Sequence, residues 1–359
     1  MRPHLAACLP RWLWCALPGA AVAVALLAPG QAESAAVCDP GLLQARLAEI
    51  DPSIRPDPDG GPTDVDLGLL LNDLHSIDEV RERFTADLRA ELTWRDARLT
   101  AEALGCEAAG TRLLIDTIWH PELMMMNGID VDSSLESRAM IGPGGRVRLV
   151  RRYTGVFAAS MELEDFPRET QQLGVLVGTV QLGPDQVRVR IDPDRSGILD
   201  AMVPAGWSLE TPSSEVGTAR LADVTINRIR FVFPARRLPG YFAYKVVLPL
   251  ALIVAMSWSV FWLDPKHLQA QLGVASASVL TAIAFQLSLV DLLPQIPYLT
   301  RMDRFVLGST VLVFAALAEV IWTSNLSVRD RLALARRLDQ LARYLFPTLY
   351  TAFTIWCFA

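Results

Sequence analysis

Apolar and polar residues alternate along the first two thirds of the chain, at the period of two that is typical of β-strands. The clearest run ends at Trp94, and every second residue in it is apolar. Its apolar members are Phe84, Ala86, Leu88, Ala90, Leu92 and Trp94. Similar runs occur at 146–157, 173–182, 186–191 and 223–233, separated by Gly, Pro and Asp. Many strands without a long helix between them predict an antiparallel β-sandwich of about 170 residues.

The pattern changes at Pro239, where long apolar segments begin. Each has about 20 residues, which is enough to cross a bilayer as a helix. The segments are 242–263, 270–293, 305–323 and 341–359. The connection between the third and fourth segments contains several arginines, among them Arg329 and Arg336, which predicts that it lies in the cytoplasm. A basic and then apolar start of the chain predicts a secretory signal, and this independently places the β-sandwich outside the cytoplasm.

The second apolar segment contains a stripe of residues at helical spacing. Counted in steps of three or four, its members are Gln269, Gly273, Ala277, Leu280, Ala284, Leu287 and Asp291. Serine, threonine and glutamine side chains flank this stripe, and unpaired polar groups are costly in hydrocarbon. The helix therefore either lines a water-filled pore together with copies of itself or is a polar helix buried in a bundle. The segment alone leaves both interpretations open.

These patterns divide the chain into four parts: a signal peptide (1–32), an N-terminal helix and linker (33–61), an extracellular β-sandwich (62–237) and a four-helix transmembrane domain (238–359). The predicted fold class is therefore a β + α membrane protein, an antiparallel sandwich followed by a four-helix bundle. The 52% apolar composition and the mean hydropathy of +0.29 agree with a membrane protein.

Composition and motifs exclude several classes of function. The net charge of −6 argues against a nucleic-acid partner. The sequence contains no zinc-ligand spacing, P-loop or nucleophile elbow, so we expect no metal, no cofactor and no enzymatic activity. Cys38 and Cys106 lie in the exported part, where they either form a disulfide or remain thiols, and the sequence leaves this open.

Five short motifs occur in the order in which they are found in the pentameric ligand-gated ion channels, the Cys-loop receptor superfamily. They are Trp94-Arg95-Asp96-Ala97-Arg98-Leu99, Ile118-Trp119-His120-Pro121-Glu122 with Asn127, Phe166-Pro167-Arg168-Glu169, Arg237-Leu238-Pro239-Gly240-Tyr241-Phe242, and Leu292-Leu293-Pro294 with Tyr298-Leu299-Thr300. The chain resembles this superfamily in its bacterial branch, whose members commonly lack the name-giving disulfide. It departs from the family pattern at Glu122 and Glu169, where aspartate is expected.

The resemblance implies a homopentameric, multi-pass channel of the cell (inner) membrane, with its N-terminal domain in the periplasm or extracellular space. Its partners would be the lipid bilayer, a small extracellular ligand and permeant monovalent ions. Trp94 and Trp119 would be core residues. Residues that couple the two domains would lie where the sandwich meets the membrane domain: Phe166, Pro167, Glu169, Arg237, Pro294 and Tyr298.

The family's ligand site lies between subunits and commonly contains an aromatic cage for a cation. In this chain Met126 and Val180 occupy positions where aromatic residues are expected, and the capping loop at 212–222 has none. On the facing side, Arg89 and Arg152 either bind an anion or pair with acidic neighbours on their strands. A ligand bound at this cleft is therefore expected to be anionic or zwitterionic.

Leu280 is the largest residue in the central part of the stripe and is the predicted gate. Gln269 and Asp291 are the predicted selectivity residues, and a ring of Asp291 carboxylates would give a modest preference for cations. The alternative function is a membrane-anchored periplasmic sensor or binding protein that does not conduct ions. A transporter is disfavoured because no internal repeat is visible.

Overall fold

Two β-sheets packed face to face form the N-terminal domain in the computed structural model of this chain. The structure describes residues 37–134, 138–180, 183–200, 202–221, 223–264, 267–290, 292–329 and 331–359. The predicted signal peptide at 1–32 and the predicted stripe residue Asp291 lie outside the described residues. The strands are β1 (Thr63–Asp78), β2 (Arg83–Arg95), β3 (Arg112–Leu114), β4 (Leu123–Met125), β5 (Gly128–Ser134), β6 (Arg138–Ile141), β7 (Arg146–Ala158), β8 (Thr170–Thr179), β9 (Val187–Ile191), β10 (Gly197–Ile198), β11 (Trp207–Leu209), β12 (Ser213–Leu221) and β13 (Val224–Arg237).

The first sheet has eight strands and the second has five. In the first, the order is β10-β1-β2-β7-β6-β3, with β5 added on β7 and β9 on β1; in the second it is β11-β13-β8-β4, with β12 added on β13. Pairing is antiparallel except where β9 and β10 pair with β1. The alternating apolar residues of β2 point into the core. There the rings of Trp94 and Trp119 pack edge to face, with their centroids 6.0 Å apart. This confirms the interpretation of both tryptophans as core residues.

Two parts of the sandwich differ from the sequence prediction. The long strand β1 was not predicted. The expected capping loop at 212–222 is mostly the strand β12, which pairs with β13 along its length. Almost every residue of β12 is exposed. Because neither of its faces is buried, the strand shows no alternation of apolar and polar residues.

A short helix, α1 (Pro40–Ala48), packs Leu43 and Leu47 against the sandwich. Asp39 caps the helix by accepting hydrogen bonds from two backbone N–H groups of its first turn. Cys38 and Cys106 form a disulfide, which answers the question that the sequence left open and ties the start of α1 to a distant part of the sandwich. The remaining short elements are α2 (Ala101–Leu104) and 3₁₀ turns at Ala97–Leu99, Ile115–Thr117, Pro143–Gly145 and Pro193–Arg195.

Four helical segments form the membrane domain in the described part of the chain. Three of them are long and apolar enough to span a bilayer: Gly240–Trp262, Leu268–Ser288 and Arg301–Val328. The first consists of α3 (Gly240–Phe242), a π-helical turn (Ala243–Val247), α4 (Leu248–Ser259) and a 3₁₀ turn (Val260–Trp262); the others are α5 (Leu268–Ser288), α6 (Arg301–Val328) and α7 (Leu332–Phe358). Helix α7 begins at Leu332, well before the predicted apolar segment at 341–359. Its first turns contain charged residues, so they are not part of an apolar run.

Close packing holds α7 against α6. A Cβ atom at Gly308 would lie only 2.0 Å from the Phe353 ring, so the absence of a side chain lets the two helices approach each other. Helix α6 begins with a capping box in which Thr300 and Asp303 each accept a hydrogen bond from the other's backbone N–H. These contacts give α6 a defined start and a defined neighbour.

Candidate functional site

Helix α5 has one buried and one exposed face. Its buried residues are Gln271, Ala275, Ser278 and Ala282, which face the other helices of the chain. The predicted pore residues Gln269, Gly273, Ala277, Leu280, Ala284 and Leu287 are all exposed. Leu280 and Leu287 each keep 70% of their surface exposed. The chain's own bundle therefore leaves the stripe uncovered.

The hydroxyl groups of α5 are satisfied within the helix. Ser276 donates to the Leu272 carbonyl oxygen at 2.6 Å, and Thr281 donates to that of Ala277 at 2.8 Å. Such bonds lower the cost of a hydroxyl group in an apolar setting. The exposed apolar residues are thus a better guide to the role of α5 than its hydroxyl groups.

Arg237, the last residue of β13, lies in a buried ionic cluster where the sandwich meets the membrane domain. Its Nε donates to Oε1 of Glu169 at 2.5 Å, and its Nη2 contacts the carboxylate of Glu79. The side chains of Arg237 and Glu169 are 11% and 3% exposed. The pair proposed from the sequence is therefore in contact, and Glu79 is a second acidic partner that the sequence did not indicate.

Aromatic rings surround the same guanidinium. Its Cζ lies 4.2 Å from the centroid of the Trp207 ring, 5.1 Å from that of Phe166 and 5.8 Å from that of Phe242. Cation–π attraction adds to the ionic contacts, and the rings exclude water from them. Phe166 and Phe242 come from different domains, and their rings pack edge to face with centroids 4.7 Å apart. The arginine thus connects β13 to both the loop before β8 and the start of the first span.

The loop between β7 and β8 contacts the membrane domain. The Leu163 N–H donates to the Tyr298 hydroxyl at 3.2 Å, and the Met302 N–H donates to the Phe166 carbonyl at 3.3 Å. Pro167 follows Phe166 through a cis peptide bond and is buried. Pro294 is partly exposed in the turn between α5 and α6. The predicted coupling residues therefore lie at or near one junction.

Arg89 and Arg152 are direct partners across β2 and β7. Arg152 is bound to the buried carboxylate of Asp87, whereas Arg89 reaches Glu91 only at 3.9 Å. Glu91 is held more tightly by Arg148, which donates to both of its oxygens at 2.6 Å. Of the two arginines, Arg152 thus pairs closely with an acidic neighbour, whereas Arg89 has only a distant one.

Arginine side chains are concentrated on this surface. A cavity of about 510 Å³ is lined by five arginines: Arg89, Arg112, Arg138, Arg148 and Arg152. Among the described residues, the buried carboxylates of Glu91 and Asp87 accept hydrogen bonds from Arg148 and Arg152. Hydrogen bonds to Glu91 raise the pKa of Arg148, and those to Asp87 raise the pKa of Arg152, so both remain charged. The cavity therefore suits an anionic group.

Met126 and Val180 lie in or beside the second sheet, away from the arginine cavity. The Met126 side chain packs over Gly178, and a Cβ atom at position 178 would lie only 3.0 Å from the Met126 sulfur. On the same sheet, Arg228 and Arg230 line a hollow of about 530 Å³, and neither has a carboxylate partner among the described residues. One chain therefore holds the four predicted ligand residues as two separate pairs, on different sheets.

Comparison with known proteins agrees with this architecture. Residues 41–218 match the neurotransmitter-gated ion-channel ligand binding domain, and residues 246–332 match the neurotransmitter-gated ion-channel transmembrane region. The chain belongs to the neurotransmitter-gated ion channels. The superfamily and the fold class predicted from the sequence are thus confirmed, and this is a family of channels and not of enzymes.

Relatives of this chain include bacterial and animal proteins. The chain is 22% identical over 291 residues to a proton-gated ion channel of Gloeobacter violaceus, covering 80% of each protein. It is 25% identical to the gamma-aminobutyric acid receptor subunit beta-4 of Gallus gallus and 27% identical to the subunit beta of Lymnaea stagnalis. Those alignments cover 76% and 77% of this chain but only 57% and 59% of the receptor subunits.

Proposed function

We propose that five copies of this chain assemble around their α5 helices and form an ion-conducting pore in the cell (inner) membrane. The main support is the exposed stripe of α5, which the other helices of the same chain leave uncovered. A symmetric ring would bring this surface of each copy towards a common axis. We place the chain in the bacterial branch, because no cysteine lies between Cys106 and Cys357.

The ligand that opens this channel is, in our proposal, a small anion or zwitterion bound outside the membrane between two subunits. The arginine cavity on β2 and β7 would provide one wall, and the surface near Met126, Val180 and Arg228 would provide the other. Guanidinium groups line both walls, among them Arg89, Arg148 and Arg152 on one side and Arg228 and Arg230 on the other. On the wall formed by β2 and β7, Arg89 reaches Glu91 only at 3.9 Å, whereas Arg148 and Arg152 hold their carboxylates closely, so we expect Arg89 to turn towards a ligand.

Small carboxylates are expected to open the reconstituted channel in a planar bilayer, whereas simple amines are not. The Arg89→Gln variant should raise the half-maximal carboxylate concentration about tenfold, as expected when one charge-assisted hydrogen bond is lost. Arg188→Gln is the matched control, because Arg188 is an exposed arginine on β9, away from the cavity. Activation by simple amines alone would contradict the proposed ligand class.

The conduction pathway can be tested in the same recordings. Ala277→Cys on the exposed face and Ala282→Cys on the buried face differ only in the direction in which they point from α5. A charged thiol reagent should block current through the first variant and leave the second unchanged. If no unitary current appears under any condition, the chain is better explained as a non-conducting sensor.

A modest cation preference is expected from measurements of reversal potential in asymmetric salt. Gln269 at the start of α5 would form a ring without net charge, so Asp291 would be the main fixed charge of the stripe. Salt screens such a ring within about 8 Å at physiological ionic strength. Asp291→Asn should reduce the preference and Gln269→Glu should increase it. A clear anion preference of the unmodified channel would refute this assignment.

A further inference from the structure

An acidic residue interrupts the apolar middle of α6, and it faces a second acidic residue from α7. Glu319 is the only charged residue between Arg304 and Arg329. Asp339 lies two turns into α7 and is 1% exposed. All four carboxyl oxygens are buried, and none has a hydrogen-bond donor among the described residues. Buried polar groups are almost always hydrogen-bonded, so this pair requires an explanation.

Neighbouring side chains donate no hydrogen bond to the pair among the described residues. Arg343 and Asp264 are the charged groups that face Asp339. The Arg343 guanidinium donates to the Phe261 carbonyl at 2.7 Å and lies over the Trp262 ring, and Asp264 is paired with Arg336 at 3.4 Å. On α5, the buried side chain of Gln271 is a neutral amide, and it donates to the Leu263 carbonyl at 3.1 Å.

The surroundings of Glu319 are apolar. It lines a cavity of about 410 Å³ between α6 and α7, together with Ala315, Ala318, Trp322, Thr323, Leu341 and further apolar residues. The Thr323 hydroxyl is already used, because it donates to the Glu319 backbone carbonyl at 3.1 Å. The described side chains that line the cavity therefore provide no donor for the carboxyl oxygens.

A proton would resolve this arrangement. Ionised carboxyl groups only accept hydrogen bonds, and two of them repel each other strongly where water is excluded. One added proton converts one group into a donor towards the other and reduces the charge of the pair from two negative charges to one. We propose that Glu319 and Asp339 form an intramembrane proton-binding site, in which one carboxyl O–H donates to the other carboxylate and fastens α7 to α6.

Thermal unfolding of the full chain in lipid nanodiscs, measured as a function of pH, tests this site. The Tm of the unmodified protein should fall by several degrees as rising pH removes the proton, because two facing charges then remain. Glu319→Gln and Asp339→Asn should each remove this dependence, since the new amide donates permanently to the remaining carboxylate. Glu102→Gln, an exposed position of α2, is the matched control and should keep the dependence.

Infrared spectroscopy provides a second measurement that does not depend on the stability of the variants. The unmodified protein should show the carbonyl band of a buried protonated carboxyl group, and this band should titrate over the same pH range as the Tm. Both single substitutions should remove the band, and Glu102→Gln should retain it. The proposal is wrong if the band is missing, if it persists in either variant, or if sodium or calcium concentration sets the Tm in place of pH.

Discussion

Replacing Leu280 with serine is expected to open the channel in the absence of ligand and to lower the half-maximal ligand concentration at least tenfold. In a ring of five leucines, the closed pore would be blocked by dewetting and not by contact between side chains. Burying one leucine side chain is worth about 1.5–3 kcal/mol. A tenfold change corresponds to only about 1.4 kcal/mol, so weakening five such side chains is more than sufficient. Single-channel open probability measured without ligand is the direct readout.

Leu287→Ser is the matched control for this experiment. Leu287 lies two turns further along the same face of α5 and is exposed to the same extent, 70%. The two substitutions therefore remove the same amount of apolar surface from the stripe. An equal effect of both would mean that the barrier extends over two rings. An unchanged closed state in Leu280→Ser would mean that Leu280 packs against a neighbouring helix and that the gate lies elsewhere.

The architecture could be predicted because its main patterns are local. The alternation along β2 and the long apolar segments after Pro239 each report on burial within a single element. Strand β12 could not be found in this way, because it is exposed on both faces. Helix α7 was found only in part, since its first turns are charged and resemble a cytoplasmic connection. These reasons do not apply to β1, which was missed although its buried Val65 and Leu67 alternate with exposed Asp64 and Asp66.

The junction between the domains was predictable only in part for a different reason. Glu169 and Arg237 belong to short motifs that can be identified in the sequence. Glu79 and Trp207 lie on other elements and join the same guanidinium only through the tertiary fold. Nothing in the sequence near either residue indicates this contact. A cluster assembled from distant segments requires the register of the strands, which is a property of the folded chain.

Removing the charge of Glu169 or of Arg237 is expected to abolish opening by ligand while ligand binding is retained. Breaking a buried ion pair costs about 3–5 kcal/mol, because the remaining charge stays buried without its partner. Glu169→Gln preserves the shape of the side chain, and Arg237→Gln leaves both Glu169 and Glu79 without their cation. Parallel measurements of surface expression, ligand binding and current separate a defect in coupling from a defect in folding.

Asp165→Asn is the matched control for Glu169→Gln, because both residues lie in the loop between β7 and β8. Asp165 pairs with Arg301 at 2.7 Å, but its side chain is 61% exposed. An exposed pair contributes only about 0–1 kcal/mol, so this variant should open almost normally. Adding Leu280→Ser to Arg237→Gln should restore current without ligand, which would show that the pore is intact and only its connection to the sandwich is lost. Normal expression and normal opening of both Glu169→Gln and Arg237→Gln would rule out this role for the cluster.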